Sequence, residues 1–151
     1  MASCAKRGKH FGDDFERLLA HQAAVSGMLL VVHGLQARYV GRGRIVGVKS
    51  DLDMRLHYQG RTAIFDAKSR GGKTLALSGL DIRQRQLAQR YASAPGLISG
   101  FLVQYRGVAD QPVVFHPADT ITRLGCRGSL SPGDGVLLGS SRHFALSLMF
   151  A

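Results

Sequence analysis

Residues 50–70 read SDLDMRLHYQGRTAIFDAKSR, and the way this stretch folds decides the reading of the rest. Residues 51–58 and 61–68 each alternate between polar and apolar side chains, with Gln59-Gly60 between them, the pattern of two strands joined by a tight turn. A two-residue loop at 59 and 60 places Asp53 opposite Asp66 and Asp51 opposite Lys68, their Cβ atoms roughly 4.5 to 5.5 Å apart. All four side chains then share one face. Leu52, Met54, Leu56, Tyr58, Ala63, Phe65 and Ala67 line the other, an apolar set suited to burial under a helix. A three-residue loop with Gly60 in a bulge is the competing register, because glutamine disfavours the positive φ of the first position of a type I′ turn; it places Phe65 opposite Asp53.

Two carboxylates facing each other across a hairpin repel, and folding them together is costly unless a proton or a cation offsets the charge. Oxygen-only ligands favour a hard divalent ion, Mg²⁺ or Mn²⁺, which keeps several waters and recruits phosphate oxygens from a substrate. Phosphodiester hydrolysis is the chemistry such a site performs. Lys68, two residues beyond Asp66 and so on the same face, is placed to stabilise charge on the attacking water or the phosphate. The alternative is that these aspartates are surface charges balanced by Arg55, Arg61 and Lys68.

The composition agrees with an anionic partner. Of 151 residues, 20 are Lys or Arg and 10 are Asp or Glu, a formal charge of +10, well beyond what solubility demands. The excess is spread over several segments and not gathered in one tail, the distribution expected of a nucleic-acid-binding surface. A solvated basic surface is the bland alternative. Hydrophobic residues make up 45% of the chain, enough for one domain with its own core. Two cysteines, Cys4 and Cys126, are too few for a disulfide framework, so a reducing, cytoplasmic setting is expected. The longest apolar run, Met28 to Val32, is far too short to cross a bilayer, and no membrane partner is expected.

Outward from the hairpin, Phe11, Phe15, Leu18 and Leu19 follow helical spacing over roughly residues 9–26, ending at Gly27. Met28 to His33 has strand length, and LQARYVGRGRIVGVK after it forms either a twisted hairpin or a mobile arm. Ser78 and Asp81 have capping-box spacing and predict a second helix opening at Ser78 and stopping at Pro95-Gly96, with Leu80, Leu87 and Tyr91 on one side. Gln86 shares a polar, cationic face of that helix with Arg83 and Arg90, a face suited to phosphates. Leu97 to Tyr105 and Pro112 to Phe115 read as strands, Pro117 to Leu124 as a short helix, residues 131–135 as a turn, and His143 to Phe150 as a final strand. Helices and strands in this order indicate an α/β or α+β domain.

On these residues the chain resembles the PD-(D/E)xK nuclease superfamily, and more narrowly the RecU-type Holliday junction resolvases. Gly12, Phe15 and Glu16 stand in GDDFE, Ser50 to Asp53 in SDLD, Asp66 to Lys68 in DAK, and Ile82 to Gln86 in IRQRQ; together they span about residues 8 to 105. The resemblance implies an α/β fold with a restriction-endonuclease-like core, a mixed β-sheet flanked by helices, with residues 1–151 as a single nuclease domain. It implies a Mg²⁺ cofactor, replaceable by Mn²⁺, held by Asp53 and Asp66 with Glu16 supporting metal or water. Lys68 is then the motif lysine and Gln86 the glutamine flanking the site. The substrate implied is branched DNA, a four-way junction cut by paired phosphodiester hydrolysis in a homodimer, within a bacterial cell or a phage-infected host. Arg42, Arg44, Lys49, Arg70, Lys73, Arg83 and Arg90 are the expected phosphate contacts. Two departures stand out: Asp66 occupies a position where RecU-type proteins usually carry glutamate, and the basic connection 34–49 resembles a shortened stalk.

Other motifs carry less. Gly72-Lys73-Thr74 lacks the earlier glycine of a phosphate-binding loop, which here is Ala67. The histidines show no paired ligand spacing, so a structural zinc site is not expected. Two further functions fit the same composition: a nicking or restriction-type endonuclease on the same core, or a non-catalytic basic DNA-binding protein.

Overall fold

The computed structural model describes residues 4–33, 36–39, 41–48, 52–125 and 128–151. The central hairpin forms in the first of the two registers. β4 (Met54–Tyr58) pairs antiparallel with β5 (Arg61–Arg70), Met54 facing Phe65 and Tyr58 facing Arg61. The turn between them is the two-residue, left-handed kind, with φ of 48° at Gln59 and 74° at Gly60. Holding Gln59 there costs about 1 to 2 kcal/mol. Burial of Met54, Leu56, Ala63 and Phe65, all fully inaccessible, outweighs it at about 1.5 to 3 kcal/mol for each large side chain.

The hairpin lies within a seven-stranded sheet of order β1-β4-β5-β7-β8-β10-β11. Its other strands are β1 (Leu29–Val32), β7 (Leu97–Tyr105), β8 (Pro112–Pro117), β10 (Val136–Ser140) and β11 (His143–Phe144). β5 and β7 run parallel and the other neighbours antiparallel, so the sheet is mixed. The parallel step requires a crossover, and α2 (Ile82–Ala92) supplies it, packing on β7 and β5. Gly100 of β7 lies so near β8 that a Cβ there would come within 2.1 Å of the His116 carbonyl oxygen; only glycine allows this approach.

Each face of the sheet buries its own apolar cluster. On one, α1 (Cys4–Val25) lays Phe15, Leu19 and Ala23, at i, i+4, i+8, against Met54, Leu56, Ala63, Phe65 and Leu102. The helix closes as Gly27 takes a φ of 68° and Met28 donates its backbone N–H to the Ala23 carbonyl, a Schellman end. On the other face, Ile64, Phe101, Val103 and Tyr105 pack with Ala88 of α2 and with Ala118 and Ile121 of α3 (Ala118–Leu124). Two short pairs complete the fold, β2 (Gln36–Tyr39) with β3 (Ile45–Val48), and β6 (Leu75–Ala76) with β9 (Ser129–Leu130).

Four expectations are corrected. α1 begins at Cys4, before residue 9. Ser78 belongs to a 3₁₀ turn, Leu77–Gly79; α2 opens at Ile82, where the Asp81 carboxylate accepts the Arg83 N–H at 2.7 Å. One acidic side chain satisfying an orphan helix donor thus overrides the capping-box spacing. The last strand stops at Phe144 and a 3₁₀ turn, Leu146–Phe150, follows, since Leu146, Met149 and Phe150 all reach the α1-side cluster, as period-two alternation does not allow. Leu52 packs with the opposite cluster from Met54, because the chain bends at Asp53 before β4 begins. The connection after β1 resolves as the hairpin β2–β3.

Candidate active site

Asp66 and Lys68 stand two residues apart on β5 and so point to the same side of the sheet, the α2 side that Ile64 also faces. Across the parallel ladder Asp66 sits beside Phe101 and Lys68 beside Val103. The Asp66 side chain has no solvent exposure, whereas that of Lys68 keeps 31%, and its Nζ lies 2.5 Å from Asp66 Oδ2. A carboxylate buried among aliphatic and aromatic side chains survives as an anion only when a cation or several hydrogen bonds compensate it. Lys68 is that cation, its stem inside and its head at the edge of water.

A third group closes the cluster. Gln84, the third residue of α2, is only 4% exposed, and its Oε1 accepts from Lys68 Nζ at 3.4 Å. Its Nε2, also shielded from solvent, has no hydrogen-bond partner among the described residues. Sequence reasoning chose Gln86. That residue is exposed and lines a groove between α2 and α3. Gln86 falls on the polar face with Arg83 and Arg90, whereas Gln84 shares the inward side of the helix with Ala88 and Tyr91 at i, i+4, i+7, and that spacing was the signal that pointed to it.

Asp53 is half-buried and lies one residue before the first paired residue of β4, its backbone carbonyl accepting the His33 N–H at 2.6 Å. The β4–β5 ladder ends at Met54 and Phe65, one step short of the expected Asp53–Asp66 pair, because the chain bends at Asp53. Glu16 occupies an exposed position on α1, next to buried Phe15, and α1 packs on the face of β5 away from Asp66. Among the described residues no three His, Cys, Asp or Glu side chains gather in a group able to hold a metal; Glu16, Asp53 and Asp66 therefore do not close into a cage. A Mg²⁺ site needs only one or two carboxylates, the remaining positions going to water and substrate phosphate. The hard oxygens of Asp66 and Asp53 fit that requirement.

The basic residues are exposed on several elements. Arg42 and Arg44 are exposed in the turn that joins β2 to β3, and Arg70, Lys73, Arg83 and Arg90 are exposed at the end of β5, in the loop after it and along α2. Arg70 donates from Nε to the Thr74 carbonyl at 3.4 Å. Lys49, Ser50 and Asp51 lie outside the described residues.

The same face holds another buried polar pair, distinct from the carboxylate. His116 of β8, fully buried, shares a hydrogen bond of 2.8 Å between its Nε2 and the Tyr105 hydroxyl. Burial pushes the His116 imidazole down to about 4 and raises the Tyr105 phenol, so both are neutral at pH 7.

No family model matches the chain, and no curated protein sequence does. Among solved structures it is similar to Hjc, a Holliday junction resolvase from the archaeal hyperthermophile Archaeoglobus fulgidus, with a TM-score of 0.56. The two are 16% identical, and the likeness covers 83% of this chain and 94% of Hjc. At that identity what they share is architecture: a curled mixed sheet flanked by helices, the Hjc-like, restriction-endonuclease-like fold.

Proposed function

We propose that this chain is a metal-dependent endonuclease that resolves four-way DNA junctions by paired phosphodiester hydrolysis. The observation that carries the reading is the fully buried Asp66 carboxylate under the Lys68 ammonium, in the D-x-K strand of a Hjc-like fold. A structural ion pair needs no such arrangement, since burying one is close to neutral for stability. A formal charge of +10 and the exposed arginines of the β2–β3 turn, β5 and α2 favour a polyphosphate substrate. The motifs GDDFE, SDLD and DAK favour the RecU-type branch of the resolvases.

Asp66 and Asp53 would hold Mg²⁺ or Mn²⁺, which when bound supplies a Lewis acid for the scissile phosphate and a more acidic water. Burial fixes the Asp66 oxygens in place and keeps bulk water from them. Gln84 holds the Lys68 head at the site's edge, where the ammonium meets the charge that develops on the phosphate. The resemblance gives Glu16 the attacking water, but α1 lies on the other face of β5 from Asp66, so no step falls to it. Arg42 and Arg44 in the β2–β3 turn, with Lys49, Arg70, Lys73, Arg83 and Arg90, bind backbone phosphates. Two cuts in a junction of approximate two-fold symmetry call for a homodimer with one site per subunit.

The test is cleavage of a synthetic four-way junction, a flap and a linear duplex, each with Mg²⁺ and with EDTA. Paired nicks confined to the junction, lost in EDTA and in Asp53→Asn and Lys68→Ala, are the expected result. Equal cutting of linear duplex moves the assignment to a nicking or restriction-type enzyme. Tight binding of all three without any cut rejects the nuclease.

A further inference from the structure

Hydrolysis at Asp66 leaves one feature of α2 unused. Away from the sheet, Ile82, Arg85, Gln86 and Gln89 face Ile121, Thr122 and Gly125 across an open groove of about 330 Å³, the size of a small-molecule site. Its floor is aliphatic, with Ile121 buried and Ile82 still 58% exposed. Above the floor stand planar polar groups: the Arg85 guanidinium and the amides of Gln86 and Gln89, the last accepting the Thr122 hydroxyl at 2.6 Å. Arg85 Nε is shielded from solvent and has no hydrogen-bond partner among the described residues. No carboxylate is among the described residues of the lining, and Arg83, Arg90 and Arg123 are exposed on the same two helices.

Three occupants can be weighed by what each leaves unsatisfied. An apolar side chain from a protein partner covers Ile82 and Ile121 and leaves a guanidinium donor buried without an acceptor, which is costly. A free phosphate pairs with Arg85 and leaves the aliphatic floor wet. A nucleotide does both, its flat base lying on the isoleucines with hydrogen bonds to amides and guanidinium, and its phosphate meeting the cationic rim. Along α2, Ile82 and Arg85 of the lining flank Gln84, the side chain on Lys68. We infer that the groove between α2 and α3 holds an unstacked nucleotide of the substrate strand, close to the phosphate cut at Asp66; this rests on the DNA-nuclease reading and adds a base-binding subsite to it.

Binding in EDTA tests the subsite apart from cleavage. The probes are a fluorescein-labelled ten-residue oligothymidylate and an abasic strand of the same length, which carry equal phosphate charge. The full chain is expected to favour the strand with bases by about fivefold or more, within the range for one stacked base. Arg85→Ala and Ile82→Glu should bring that preference close to one; Arg85→Lys keeps the charge but not the planar fork, and should also lose most of it. Arg90→Ala should weaken both strands alike. Thermal melts of each variant separate misfolding from lost contact, and photocrosslinking of a 5-iodouracil strand should label peptides containing residues 82–89 or 121–125. Equal affinity of the parent for both strands, or a preference kept in Arg85→Ala and Ile82→Glu, overturns the subsite. Junction cleavage with no base preference fails the subsite alone, base preference without cleavage fails the nuclease alone, and absence of binding to either strand overturns both.

Discussion

β5 presents its last residues alternately to two helices, and the two faces treat polar side chains in opposite ways. On the α1 side Arg106 Nε donates to Ser69 Oγ at 2.9 Å, Ser69 Oγ donates to Gln104 Oε1 at 2.7 Å, Gln104 Nε2 donates to Ser141 Oγ at 2.8 Å, and Ser141 Oγ donates to the Gln111 carbonyl at 2.6 Å. The Arg106 guanidinium then rests on the Phe11 ring, 3.6 Å from its centre, and ties the start of α1 to the sheet. Each of these four donor atoms has an acceptor. On the α2 side the Asp66 carboxylate lies against the partly exposed Lys68 ammonium, and the Gln84 amide nitrogen is left without a partner among the described residues. A closed network holds a fold together, whereas an open one costs stability and persists where a ligand completes it.

That contrast can be broken by substitution, first at Gln84, the open end of the α2-side cluster. Gln84→Leu keeps the volume and removes the contact to Lys68, so junction cleavage should fall about tenfold to a hundredfold, the usual range for a group that orients a site. The melting temperature should change little, since an unpaired amide is replaced by an apolar group. Full activity in this variant would mean that Lys68 needs no guide.

Stability changes come next. Lys68→Met leaves the Asp66 carboxylate buried without its cation and should cost about 3 kcal/mol, at the low end for breaking a buried pair because the lysine head reaches water. The double variant Asp66→Asn with Lys68→Met should recover most of that loss in urea unfolding. Recovery below a quarter would show that the pair is not what holds the carboxylate.

His116 gives the same face a pH dependence. Its folded pKa, lowered from 6.5 to about 4, means that between these values the unfolded chain binds a proton that the folded chain refuses. Stability is therefore full above pH 6.5 and declines as pH falls toward 4, by about 3 kcal/mol at most. Melting temperature followed against pH should show that slope, and His116→Phe should flatten it. The smallest effect is expected on the α1 side: Ser69→Ala opens the network and should cost about 1 to 2 kcal/mol while leaving the rate of junction cleavage within twofold of the parent.

Much of this arrangement was legible in the alternation of residues 51–68 alone. Period-two patterning fixed the hairpin, its register and the shared side of Asp66 and Lys68, because a slip of one residue would have exposed Phe65. The site's third member was not legible in the same way. Helical spacing sets Gln84 on the side of Leu87 and Tyr91, but its contact there, the Lys68 head, comes from a strand distant in sequence, and the Asp81 cap that opens the helix competes with an equally good sequence signal at Ser78. Alternation also failed to foresee the bend at Asp53, since Leu52 is apolar on either side and its burial in the second cluster depends on partners distant in sequence.

The central claim, that the Asp66 carboxylate is a cradle for a catalytic metal and not a structural anion, is tested most directly by Asp66→Asn under single-turnover conditions on a four-way junction with Mg²⁺. The account predicts that the variant binds the junction within about twofold of the parent and cuts it on the order of a thousandfold more slowly. An asparagine variant that cuts at the parental rate, or a parent chain that binds the junction and never cuts it in Mg²⁺ or Mn²⁺, would contradict it.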